Sequence, residues 1–207
     1  MRQILIASKN PHKIEKLNDI VSPYFEQIKT LQDLTIRDEP REDGDSFEEI
    51  ARGKAKYFSL QYPEFIIATD GGMIIPALDN WNPLYTRRFL NNLDKSNKTD
   101  FQRIDELLEK AVNLKDEDRY MQWKEAVAIA KNGQILFSIE VEGGYGILQT
   151  EYNKTKYKPG IWLCSLWSHP QFGNKNFFDL SPEEIKESEI SWKKIKISLD
   201  KFFSNFK

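Results

Sequence analysis

Apolar residues recur along this chain at two different spacings, and the switches between them mark its elements. Gln3 to Ala7 is a short apolar run that predicts a buried strand, and Asn10-Pro11 follows as a helix cap with proline at the first helical position. Ile14, Leu17, Ile20 and Val21 then repeat at helical intervals. An acidic polar loop over 37–45 leads into Ser46-Phe47-Glu48-Glu49, which opens a second helix through about Tyr62. Phe65 to Thr69 predicts another buried strand, stopping at Asp70-Gly71-Gly72, and Met73 to Leu78 a further extended segment interrupted by Pro76. The stretch 91–118 turns polar and carries one amphipathic helix with Ile104, Leu107, Leu108, Ala111 and Val112, which predicts a helical lobe. Trp123 to Ala130 and Gln134 to Val141 flank Asn132-Gly133, a strong hairpin signal, and Gly143 to Thr150 continues the sheet. Ile161 to Trp167 predicts a last aromatic strand. Ser181-Pro182-Glu183-Glu184 is a helix start, from which a C-terminal helix runs towards Phe203.

With no internal repeat and no low-complexity linker, this order predicts one domain over residues 1–207. Its class is α/β: a mixed, partly antiparallel twisted sheet with flanking helices and two lobes around a cleft. An apolar content of 40% over 207 residues supplies a real core, which excludes a disordered or fibrous chain. Charged residues make up 30% but nearly cancel to a net −2, so no bulk field draws nucleic acid or an anionic membrane, and neither is expected as a partner. A phosphate site must be built locally. The single cysteine, Cys164, rules out an intrachain disulfide and Cys-rich zinc chemistry, and suits a reducing compartment. The opening apolar run is too short for a secretory signal and no later one approaches the ~18 residues of a membrane span, so a cytoplasmic protein is expected.

Three groups of residues carry candidate chemistry. Ser8, Lys9, Asn10 and Lys13 surround the first strand-to-helix turn, where backbone N–H groups and the helix dipole favour an anion. The same residues also describe an ordinary capped helix with solvated lysines, and the turn lacks the glycine spacing of a P-loop. Glu42, Glu49 and Asp70 are an acidic set able to share one sheet edge, enough for a magnesium ion that also takes phosphate oxygens and water. Each has a second reading: Glu49 completes a capping box with Ser46, Glu42 is a loop residue, and Asp70-Gly71 is a turn. Arg87 and Arg88 suit bidentate phosphate recognition or, alternatively, a solvated face. His12 and His169 have no partner spacing and receive no role.

The order of these segments resembles the inosine triphosphate pyrophosphatase family of nucleotide-pool cleansing enzymes. Ile6-Ala7-Ser8-Lys9-Asn10-Pro11-His12-Lys13 is similar to that family's opening strand and Thr/Ser-x-Asn-x-x-Lys turn. Glu42-Asp43-Gly44-Asp45-Ser46-Phe47-Glu48-Glu49-Ile50-Ala51 with Lys54-Ala55 is similar to its Glu-x-Gly-x-Thr-Phe-x-Glu-Asn-Ala-x-x-Lys-Ala segment, and Ala68-Thr69-Asp70-Gly71-Gly72 to its Ala-Asp-Asp-Ser-Gly strand end. Weaker matches run over Arg119 to Ala130, Glu142-Gly143 and Leu180 to Glu184.

The resemblance implies Mg2+-dependent hydrolysis of a nucleoside triphosphate to monophosphate and pyrophosphate. Asp70 would be general base and metal ligand, Glu42 and Glu49 further metal ligands, and Lys13, Lys54, Arg87 and Arg88 would neutralise phosphate; a homodimer is also implied. Departures concern the base-recognition end. Thr69 stands for the first aspartate of the pair and Gly71 for the serine; Pro159 to Cys164 lacks the base-pocket aspartate, and Ser191-Trp192-Lys193 replaces Ser-His-Arg. The groups that read a purine edge are thus largely missing, while Trp162 and Trp192 offer stacking surface, or core packing, and Lys193 takes the place of the arginine. The alternative from another class is a catalytically inactive nucleotide-binding or interaction module on the same fold.

Overall fold

The computed structural model describes residues 2–34, 40, 43–78, 99–158 and 161–205. Strand β1 (Gln3–Ile6), helix α1 (Pro11–Val21) and strand β2 (Gln27–Thr30) open the chain, followed by α2 (Phe47–Ser59) and β3 (Phe65–Ile74). Helix α3 (Asp100–Lys110) precedes the long strands β4 (Tyr120–Lys131) and β5 (Gln134–Leu148). Strands β6 (Trp167–His169) and β7 (Lys175–Asn176) and helices α4 (Pro182–Ser188) and α5 (Ile190–Ser204) complete it. Strand order is β2-β1-β3-β4-β5-β6-β7, with β1 parallel to β2 and β3, and β6 antiparallel to β5 and β7. The mixed α/β class expected from the residue pattern is the observed one. Among the described residues no helix is long and apolar enough to cross a membrane.

The chain divides into two compact units: residues 1–71, 124–142 and 191–207 form one, and 72–123 with 143–190 the other. In the first, Ile4, Ile6 and Ile67 of the parallel strands pack with Leu17, Ile20 and Val21 of α1, Val127 and Ile129 of β4, and Trp192, Ile195, Leu199 and Phe203 of α5. These strand residues share one parity, hence one sheet face. In the second, Met73, Ile75, Ile104, Leu107, Met121, Trp162, Leu166 and Trp167 form a separate core. There the buried Arg119 guanidinium donates to the main-chain oxygens of Ala111, Leu114, Leu148 and Gln149, so its charge is dispersed over carbonyl dipoles rather than met by an acid.

Several boundaries differ from the pattern. Strand β3 does not stop at Asp70 but continues through Gly71-Gly72 to Ile74. A Cβ at Gly71 would lie 2.4 Å from Glu125 Oε2 and 2.7 Å from the Lys124 carbonyl oxygen, so the glycine serves a close approach within the sheet, not a turn. The run 161–167 is mainly a 3-10 helix, Trp162–Leu166, and only Trp167 begins a strand. Every residue from Trp162 to His169 is buried, and a run buried on all sides has no period from which to tell strand from helix. Helix α2 ends at Ser59, short of Tyr62, and the C-terminal helix is two helices, broken at Glu189. Val112 lies past the end of α3 and is exposed, outside the apolar stripe to which its spacing assigns it. Strand β2 is too short and polar to register as an element in the residue pattern. The hairpin is as expected: Asn132 and Gly133 have φ of 50° and 77°, the left-handed pair a two-residue turn demands.

Candidate functional site

The strand order locates a site before any side chain is considered. The chain passes from β1 through α1 to β2 on one side, then through α2 to β3 on the other, so the direction of winding reverses between β1 and β3. Right-handed crossovers then place α1 and α2 on opposite faces, and the crevice beyond the carboxyl end of β1 is where such sheets bind ligands. Ala7 to Asn10 lie at that end, with the Ala7 N–H still bonded to the Ile67 carbonyl (2.8 Å).

Two lysine–carboxylate pairs flank β3 there. Lys13 precedes Leu17 by one helical turn, which puts it on the buried stripe of α1, and its Nζ donates to Glu125 Oε1 at 2.8 Å. Glu125 shares the parity of Val127 and Ile129 on β4 and is 1% exposed. The Thr69 hydroxyl lies 2.5 Å from the same Oε1 and 2.6 Å from the Ala126 carbonyl oxygen. On α2, Lys54 follows Ile50 by four residues and precedes Phe58 by four, again on a buried stripe, and donates to Asp70 Oδ1 at 2.6 Å. Asp70 has the parity of Ile66 and Ala68, opposite to Thr69, so each helix delivers one lysine to its own face of β3. Among the described residues Asp70 Oδ2 takes no hydrogen bond, which leaves it for a ligand, a metal or water.

The first turn of α1 differs from the expectation of open amides. Asn10 Oδ1 accepts from the His12 and Lys13 N–H groups (3.0 and 3.4 Å), and Ser8 Oγ accepts from the Asn10 N–H (3.2 Å). Pro11 has no N–H, so the helix end is satisfied internally and attraction for an anion falls to the side chains and the dipole.

A sequence profile of the Ham1 family matches residues 4–188. This chain belongs to the Ham1 family. It is 35% identical over 161 residues to the dITP/XTP pyrophosphatase of Dictyoglomus thermophilum, covering 70% of this chain and 75% of that one. It is 30% identical over 145 residues to the Bacillus licheniformis dITP/XTP pyrophosphatase, covering 69% and 72%. The fold is similar to that of the Ham1 protein of Coxiella burnetii, with a TM-score of 0.78 at 21% identity over 97% of this chain and 100% of that one.

Of the residues that the Ham1-like motifs single out, the structure brings Lys13, Lys54, Asp70 and Gly71 into or beside these pairs, with Ser8 and Asn10 at the adjoining turn. Lys9 and Lys193 are exposed on the surface. Glu49 is also exposed; its N–H donates to Ser46 Oγ (3.1 Å), but its carboxylate accepts from the Asp45 N–H (2.8 Å) and not from that of Ser46, so it helps to start the helix without completing a capping box. Trp162 and Trp192 lie in the two cores, each 8% exposed; Trp192 meets His12 edge-on at 6.5 Å between ring centres. Glu42, Arg87 and Arg88 lie outside the described residues. Among those described, no three His, Cys, Asp or Glu side chains converge as a metal cage. The residue that sequence reading misses is Glu125. Its one signal is an acid at the parity of Met121, Trp123, Val127 and Ile129, in the middle of a strand whose other charge on that face, Lys131, stands at its end.

Proposed function

We propose that this Ham1-family chain is a nucleoside-triphosphate pyrophosphatase. The observation that carries the reading is the Lys54–Asp70 pair on one face of β3 and Lys13 on the other, both at the strand ends where the winding reverses, which offers an oriented carboxylate and cations suited to a polyphosphate. The names of the relatives, dITP/XTP pyrophosphatases, supply the substrate class and make deaminated purine triphosphates the first candidates. In the reaction, water attacks the α-phosphorus and the bond from that phosphorus to the α–β bridging oxygen breaks, giving a nucleoside monophosphate and pyrophosphate. Lys54 fixes Asp70 through Oδ1, leaving Oδ2 to take the proton from water. Lys13 binds phosphate oxygens, helped by the dipole of α1.

The donor set fits magnesium, which needs only one or two carboxylates besides phosphate and water, and the Asp70 carboxylate would supply one, its Oδ2 having lone pairs for both the ion and the attacking water. When bound, the ion would supply charge neutralisation and a template for the phosphate oxygens. A homodimer and a cytoplasmic location belong to the same reading, the first supported by the motif resemblance and the second by the single cysteine, which suits a reducing compartment. The deciding experiment is a panel of nucleoside triphosphates, including deoxyinosine and xanthosine triphosphates, assayed for pyrophosphate release with magnesium and with chelator. Magnesium-dependent release of pyrophosphate and monophosphate in equal amounts is expected. Release of orthophosphate instead, or tight binding with no turnover on any member, overturns the reading.

A further inference from the structure

We propose that Glu125 is a positioning residue of the phosphate site, holding Lys13 for the triphosphate, and that Thr69 and Gly71 are shaped around its carboxylate. The inference rests on the reading that Lys13 meets the triphosphate.

Burying a lysine and a glutamate together is weak evidence of stabilisation, since apolar residues of equal volume do as well or better at such positions. Glu125 nevertheless stands at 1% exposure beside the buried Val127 and Ile129 on the same face. Among the described residues its contacts converge on the candidate site. Oε1 accepts from Lys13 Nζ at 2.8 Å and lies 2.5 Å from the Thr69 hydroxyl, while Oε2 fills the space that any side chain at position 71 would need, 2.4 Å from an added Cβ.

Positions 69 and 71 are the two at which the strand motif departs from aspartate and serine. Both lie on the Glu125 face of β3, on either side of Asp70 in sequence, and both touch Glu125. An aspartate at 69 would extend its carboxylate one bond beyond the present hydroxyl, towards the place Glu125 Oε1 now holds. The acid is instead delivered from the neighbouring strand, and Gly71 makes room for it. An ammonium group has three protons, and among the described residues Lys13 gives one to Glu125, which leaves others for phosphate oxygens.

The test uses Glu125→Gln, Lys13→Ala, the double variant, and the reciprocal exchange Thr69→Asp with Glu125→Thr, each confirmed folded by thermal unfolding. Steady-state pyrophosphate release gives KM and kcat, and calorimetry gives the affinity for inorganic triphosphate. Glu125→Gln is expected to raise KM and weaken inorganic triphosphate by about tenfold, the scale of one charge-assisted hydrogen bond. In the Lys13→Ala background the same change should do almost nothing, because its effect passes through Lys13. The reciprocal exchange should recover most of the lost affinity. A Glu125→Gln protein that binds inorganic triphosphate like the parent overturns the proposal, as does an equal further loss in the Lys13→Ala background. Should Glu125→Gln fail to fold, a folded exchange variant without restored affinity also overturns it. These binding responses in a protein that turns over no nucleotide would sustain the role of Glu125 and sink only the enzymatic reading.

Discussion

Asp70 and Lys54 make one ion pair, but the proposed chemistry divides their roles: the lysine orients and the carboxylate acts. Asp70→Asn keeps the shape and a hydrogen-bond acceptor for Lys54 while removing the base, so the fold should persist and turnover should fall about a hundredfold or more. Parental kcat in the Asp70→Asn enzyme would end the assignment. Lys13→Ala should weaken triphosphate binding more than monophosphate binding, because the lost charge faces the anionic tail; calorimetric titration of both ligands checks this, and equal losses would count against it. Both lysines are legible in the sequence, since each sits one helical turn from core residues, at Leu17 and at Ile50 and Phe58. Glu125 is not. Nothing in its own strand pattern tells a reader that Lys13, 112 residues away, will meet it.

Elements are legible wherever one periodicity runs unbroken. Helices α1 and α2, with caps at Asn10 and Ser46, and the hairpin at Asn132-Gly133 follow from local chemistry alone. The errors fall where tertiary contacts override it. Gly71-Gly72 looks like a turn, but the strand runs on because the sheet needs a residue without a side chain beside Glu125 and the Lys124 carbonyl. Gly71→Ala is therefore expected to destabilise the protein by about 1–3 kcal/mol, the usual cost of overpacking. The same change should also weaken triphosphate binding, because the carboxylate that holds Lys13 must shift. Denaturant unfolding and triphosphate titration of one purified variant test both statements, and an unchanged unfolding midpoint would contradict the packing argument.

At the scale of the whole molecule, resistance to acid depends on groups in both units, and a buried histidine lets one contribution be separated. His169 is 2% exposed and stacks on Trp167 with ring centres 5.1 Å apart and planes 7° apart, flanked by Phe172 and Phe177. Gln171 faces its Nδ1 at 3.3 Å and no hydrogen bond reaches Nε2, so the ring has no acceptor for a second proton. Burial pushes its pKa down from 6.5 to about 4. The native state then binds fewer protons than the unfolded chain between these values. The stability linked to His169 is present in full above pH 6.5 and is lost as pH falls towards 4, by an amount of order 3 kcal/mol. The carboxyls of Asp33 and Glu184, which hydrogen bonds from Thr30 and from Lys175 hold below the usual carboxylate range, also lose stabilisation in acid, so the falling curve of the parent protein alone identifies nothing. His169→Phe keeps an aromatic ring against Trp167 and removes the titrating group. Urea unfolding followed at several pH values from 7 to 4 should show a shallower loss of stability for this variant, with the gap from the parent growing as pH falls through 6.5. Parallel curves for the two proteins would mean that His169 takes up its proton in the native state as readily as in the unfolded chain.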